Sequence, residues 1–318
     1  MIINFEAGYP LTIPGFSKQE AIVESLHVFP PNEMPVEKWY KVFESSILDA
    51  LSNKKCLPIF RSSHGEFSFV LGKVEIPKED LWKRIRFYGS RIFRTIKYQS
   101  VFYSGTPGYG YETYKQWLLP KLREEYAQYL KWISEVGFLC MYFADRDAYP
   151  IRLQKEYLEW LQARGIRLDE KNYAHIYFVY GFFNGPHKNG IYKDRNILIV
   201  NSNESIERNK SIELNLKKLG AKDVRYLPIS RTNSMLDNII PPSDFDPDLC
   251  LVGAGVGAAK MIYQLRTLNC PIVDVGFILD TLADPNYLKR RIYCVHDDLW
   301  DEIFGQNLPT WASSFQKK

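Results

Sequence analysis

The sequence lacks several features that would define a protein class directly. No stretch approaches the roughly 18 consecutive apolar residues of a membrane-spanning helix. Glu6 stands where a secretory signal would need a basic region followed by an apolar one, so the chain reads as cytoplasmic, at most peripheral to the inner face of a membrane. Cysteine is scarce and odd in number. Cys56, Cys140, Cys250, Cys270 and Cys294 are scattered, mostly within apolar runs, as free buried thiols in a reducing compartment would be, and no pair has zinc-ligand spacing. A dominant charge is also missing: 41 Lys and Arg against 37 Asp and Glu give a net charge of +4, too weak a field for a dedicated nucleic-acid binder. No internal repeat, low-complexity tract or Gly/Ser linker divides the chain. It reads as a single domain over 1–318, with an N-terminal helical extension at 1–52, a core at 53–295 and a C-terminal tail at 296–318.

The composition is that of a folded protein, because 46% hydrophobic and 25% charged residues are ordinary globular proportions and exclude disorder. Aromatic residues are abundant. With 21 Tyr, 19 Phe and seven Trp, the chain has many flat surfaces for packing or for stacking on sugar and nucleobase rings.

Ser17-Lys18-Gln19-Glu20 has the form of a capping box before a short helix. A second helix is expected from about Pro35, where Val36, Trp39, Tyr40, Phe43 and Ile47 recur at helical steps. Cys56 to Phe60 reads as a short buried strand running into the polar turn Arg61-Ser62-Ser63-His64-Gly65-Glu66. From Glu79 to Tyr98 the pattern is an amphipathic helix, with Leu81, Ile85, Tyr88, Ile92 and Ile96 on one side. Its other side carries Lys83, Arg86, Arg94 and Lys97, with Arg84 and Arg91 nearby. That basic side reads either as a solvated face or as a contact for an anionic acceptor or lipid headgroup. Residues 111–164 look predominantly helical, with Gly165 as a stop signal.

Beyond Gly165 the texture changes. Ile176 to Tyr180 and Ile197 to Val200 read as buried strands, 204–219 as a helix, Val224 to Leu227 as a strand, then strand 249–252, helix 256–268 and strand 272–275. Strands alternating with helices of this length predict an α/β fold: a Rossmann-like, mostly parallel sheet flanked by helices. Ligands of such sheets bind beyond the carboxyl ends of the strands.

Two strand ends carry candidate chemistry. Gly253-Ala254-Gly255-Val256-Gly257-Ala258 lies between a strand and a helix, and Asp274 ends the next strand 21 positions after Gly253. Such a turn exposes amide hydrogens to a phosphate; it also fits NAD(P) binding by an oxidoreductase, or a turn serving only helix-to-strand packing. At the earlier end, Arg61 brings a cation and Glu66 a carboxylate to one rim. Glu66 reads equally as an N-terminal helix acid offsetting the dipole.

The segment Arg61-Ser62-Ser63-His64-Gly65-Glu66-Phe67, followed by Leu71-Gly72, resembles the signature of bacterial glycosyltransferases of the GT-D fold, an Arg-x-Gly-Asp-Gly-Glu-Phe-like segment with a DxE motif. Asp248 through Gly255 and Asp274-Val275-Gly276 resemble that family's late glycine turn and following strand. Arg195 to Val200 and Leu227 to Ser230, through Asn233 and Asp237, sit where the family has a core strand and a polar stretch. The likeness covers most of 56–280. One position departs: His64 replaces the motif aspartate, so that only Glu66 of the acid pair is retained.

The resemblance implies transfer of a sugar from a nucleoside diphosphate sugar to a glycan, glycoprotein or lipid-linked acceptor, with no nucleic-acid partner. It assigns Glu66 and Asp274 to catalysis. Arg61, Ser63, His64, Gly65, Gly253, Gly255, Val256 and Gly257 would bind the donor diphosphate, and Glu66 with His64 a divalent cation, Mn²⁺ or Mg²⁺. Imidazole suits Mg²⁺ poorly, so the histidine points to altered metal use, to a site run on Arg61 and backbone amides, or to lost activity. Asp145-Arg146-Asp147 is a further DxD string, and Asp280 a further base candidate. A non-catalytic binding protein is the remaining alternative.

Overall fold

The computed structural model describes residues 36–72, 116–141, 156–169, 171–184, 188–202 and 205–286, with helical positions 82, 85, 88, 89, 92, 93 and 96 between them. Expectations for Ser17 to Glu20, Asp145 to Asp147, Cys294 and the tail at 296–318 lie outside these residues.

Seven strands form one sheet: β1 Leu57–Arg61, β2 Phe138–Met141, β3 Tyr173–His175, β4 Asn196–Ser202, β5 Asp223–Ile229, β6 Leu249–Gly253 and β7 Pro271–Asp274. All neighbours are parallel, in the order β3-β2-β1-β7-β6-β4-β5. The protein is an α/β protein with a Rossmann-like sheet flanked by helices. Strands covered on both faces must be apolar throughout rather than alternating, and Leu249-Cys250-Leu251-Val252 and Pro271-Ile272-Val273 are buried residue after residue.

The helices are α1 Val36–Ser52, α2 His64–Leu71, α3 Leu119–Val136, α4 Ile176–Asn184, α5 Lys188–Tyr192, α6 Ile206–Lys218, α7 Ala258–Gln264 and α8 Ile278–Ala283. Residues 156–162 are also helical. The longer ones bury a stripe at three- and four-residue steps, such as Leu119, Leu122, Tyr126, Leu130 and Ile133 of α3, whereas α2, α4 and α7 are buried at consecutive positions. In α1, Trp39, Tyr40, Phe43 and Ile47 are buried and the Trp39 indole N–H donates to the Tyr173 carbonyl at 3.0 Å. This helix belongs to the core; the expected boundary at residue 52 does not separate an extension from it.

Two local expectations are corrected. Ile176 to Tyr180, read as a strand, is the first half of α4; the strand lies just before it, at Tyr173–His175. The region 111–164, read as helical, contains β2 directly after Gly137. A run buried on all sides has no periodicity to distinguish the two states.

Parallel crossovers are right-handed. The steps from β1 to β2 and from β6 to β7 run in one direction along the sheet and carry α2, α3 and α7 on one face, where α3 packs on α7. The steps from β3 to β4 and β4 to β5 run the other way and carry α4 and α6 on the opposite face, where α8 packs against both. Adjacent strands β1 and β7 therefore send their following helices to opposite faces. Their carboxyl ends open the crevice in which doubly wound sheets bind ligands.

Candidate functional site

Arg61 ends β1 and Asp274 ends β7, so the strand pairing fixes both at the crevice. Their contact is extensive. The Arg61 amide donates to Asp274 Oδ2 at 3.3 Å, Nε to the Asp274 carbonyl at 2.7 Å and Nη2 to Asp274 Oδ1 at 3.1 Å. The fourth donor, Nη1, bonds the Tyr180 hydroxyl from α4, and the guanidinium carbon lies 5.0 Å from the centroid of that ring. Gly276, at φ +47°, makes room: a Cβ there would lie 2.0 Å from Arg61 Nη2. Both charged side chains are buried.

The turn after β1 begins α2 earlier than its polar composition indicates, at His64. Ser63 is the N-cap, and Glu66, three residues on, completes a capping box. Glu66 Oε2 accepts from both the Ser63 amide and the Ser63 hydroxyl, each at 2.9 Å. Glu66 is only 5% exposed, whereas Ser63 is half-buried. Burial, and then the nearby Asp274 carboxylate, push the Glu66 carboxyl above its ordinary value, while Ser63 pulls it back. Burial also pushes Asp274 up and Arg61 opposes it. For Arg61, burial favours the neutral form, but Asp274, Tyr180 and Glu66 together outweigh it and the guanidinium stays charged. The trio is one cation with two carboxyls, and burial raises both carboxyls.

The glycine turn is the third component. Gly255–Gly257 forms a short 3₁₀ turn leading into α7, and it packs against α2. The helix that follows the first candidate turn thus packs on the second, although the two are distant in sequence. The glycines also have packing duties: a Cβ on Gly257 would lie 2.2 Å from Ser234 Oγ, and one on Gly253 2.6 Å from Leu279 Cδ1. Strand register sets Asn201 of β4 beside Gly253, so Arg61, Asp274, Gly253 and Asn201 follow one another along the carboxyl edge.

Several expected roles change on this geometry. Asp274 gives both oxygens to Arg61 and is buried, so it acts as a frame. With that acid occupied, the dinucleotide-binding reading of the Gly253–Gly257 string loses its ribose contact. Asp280 pairs with Arg208 of α6 at 2.6 Å, away from the trio. Of the expected metal pair, Glu66 Oε2 already takes two hydrogen bonds and has a guanidinium in its neighbourhood, and the His64 side chain lies outside the described ones. Among the described residues no group of three or more His, Cys, Asp or Glu is arranged to hold a metal ion. A cavity of about 380 Å³ opens at the other edge of the sheet, lined by Leu57, Gly137, Phe138 and Asn172; it carries none of these residues.

Sequence reasoning missed Tyr180, the partner of Arg61, and Lys260. The latter follows the glycine turn, is 8% exposed and donates to the Met235 carbonyl at 3.0 Å; burial lowers its pKa. Its signal was a lone lysine inside the apolar run Ala258-Ala259-Lys260-Met261-Ile262.

Comparison of the chain with protein-family models, with curated proteins and with solved structures finds no match in any of the three. The glycosyltransferase resemblance therefore rests on the motif residues themselves.

Proposed function

We propose that this chain is a glycosyltransferase that binds a nucleoside diphosphate sugar over the carboxyl ends of β1, β7 and β6, without a metal ion. The observation that carries this reading is the packing of α2, the helix that the Ser63 cap opens, against the Gly255–Gly257 turn at the switch point of the sheet. Backbone amides at the start of α2 and in the glycine turn supply the positive ends of dipoles for the leaving diphosphate. Arg61 and Asp274 hold the two strand ends in place and are positioning residues.

Glu66 is too buried to meet an acceptor directly, and Ser63 lies between. The acceptor hydroxyl passes its proton to Ser63 Oγ as the Ser63 proton moves to Glu66 Oε2. The new bond forms from the acceptor oxygen to the sugar C1, and the C1–O bond to the diphosphate breaks. A carboxyl raised by burial suits the final proton acceptor.

The test is nucleoside diphosphate release from a panel of sugar nucleotides, in chelator, with and without crude glycan acceptor. Glu66→Gln and Ser63→Ala are expected to lower turnover by about 10²-fold or more while leaving donor affinity within a few fold, because the amides hold the donor. Absence of turnover with every donor would reject the transferase reading.

A second reading has its own support: every charged group of the trio is satisfied internally, as in a scaffold that binds a nucleotide and does no chemistry. Nucleotide binding without turnover would select it.

A further inference from the structure

The described helical positions between Trp82 and Ile96 are exposed, and none of them is a residue of the donor site. Ile85 is 52% exposed, Ile92 61%, Phe93 65% and Ile96 75%, and Trp82 and Tyr88 are exposed as well. At about 100° per residue these six positions fall within an arc of about 140°. One helix face therefore turns an apolar stripe outward.

The charge pattern names the occupant. Between Leu81 and Tyr111 the sequence contains no Asp or Glu, while Lys83, Arg84, Arg86, Arg91, Arg94 and Lys97 are interleaved along it with the exposed apolar positions. A protein partner of mixed charge would not call for six cations without an acid. An apolar stripe with an aromatic at its start, flanked by lysine and arginine alone, matches the requirements of an anionic bilayer surface, in which apolar side chains enter the acyl boundary and cations reach the headgroups. The segment is also too polar to cross a membrane, and among the described residues no helix is long and apolar enough to do so.

We infer that residues 82–96 form an interfacial helix that docks the protein on anionic lipid. Its failure would leave the donor-site reading untouched, since the two use different residues.

The experiment is flotation of the full chain with phosphatidylcholine vesicles, with and without phosphatidylglycerol, at low and high salt. Partitioning is expected to be at least tenfold stronger on the anionic vesicles and to weaken at least tenfold at high salt. The exposed double substitution Ile92→Asp with Phe93→Asp should reduce it tenfold or more with an unchanged melting temperature. Equal partitioning of the variant, or none by the parent chain, would overturn the inference. So would a lowered melting temperature in the variant, or a parent dimer that the variant converts to monomer, because either would show that protein covers this face.

Discussion

Arg61 and Asp274 stand 213 residues apart in the chain and meet at 3.1 Å where β1 and β7 diverge. The pair joins the first strand of the sheet to the last, and its burial makes each partner dependent on the other. Arg61→Met leaves a carboxylate buried without its cation, a loss of about 3–5 kcal/mol. The paired change Arg61→Met with Asp274→Asn should recover part of that loss. Urea denaturation of the two single variants and the double variant reads the coupling directly.

Gly276 is held at positive φ with no space for a side chain beside Arg61. Gly276→Ala combines backbone strain of about 1 kcal/mol or more with displacement of the guanidinium. Its melting temperature should fall by several degrees. The same variant in an Arg61→Met background should cost less, because the atom that Cβ meets is gone.

For Glu66 the sign follows from the raised pKa. Its protonated form is favoured in the folded state, so its contribution to stability is full below the ordinary value of 4.5 and is lost as pH rises through the folded value. Glu66→Gln removes this dependence and keeps an acceptor for the Ser63 amide. The variant should equal the parent chain in acid and become the more stable of the two as pH rises, measured by thermal melts across a pH series. A parent chain that instead gains on the variant with rising pH would mean that Glu66 is held as an anion.

Gly257→Ala tests whether the glycine turn is needed for packing apart from any ligand. With Ser234 Oγ at 2.2 Å from the new Cβ, the loss should be about 1–3 kcal/mol without nucleotide present. Ser234→Gly in the same chain should return part of it in urea titrations.

Much of the fold was legible because fully covered parallel strands leave a plain mark. Leu249-Cys250-Leu251-Val252 and Ile197-Leu198-Ile199-Val200 are unbroken apolar runs bounded by polar turns, and both are strands. The same property misled at Ile176 to Tyr180, where a helix buried on nearly all sides shows the identical run. β2 was hidden because it continues the apolar texture of α3 after a single glycine. At the site, Arg61, Glu66 and Asp274 were visible as polar residues at strand ends. Two of their contacts were not: that Tyr180 caps Arg61 and that Asp274 is occupied by Arg61 depend on distances across the sheet, whereas the Ser63–Glu66 pair is a local S-x-x-E capping box of the kind read at Ser17 to Glu20.

The most direct test of the central claim is the thermal stability of the chain in chelator with a panel of nucleoside diphosphates and with nicotinamide dinucleotides. The account predicts that at least one nucleoside diphosphate raises the melting temperature, by an amount corresponding to about 2.7 kcal/mol at a hundredfold excess over its dissociation constant, equally with and without Mn²⁺. No shift with any nucleoside diphosphate, a shift that appears only when Mn²⁺ is added, or a shift confined to the nicotinamide dinucleotides would contradict it.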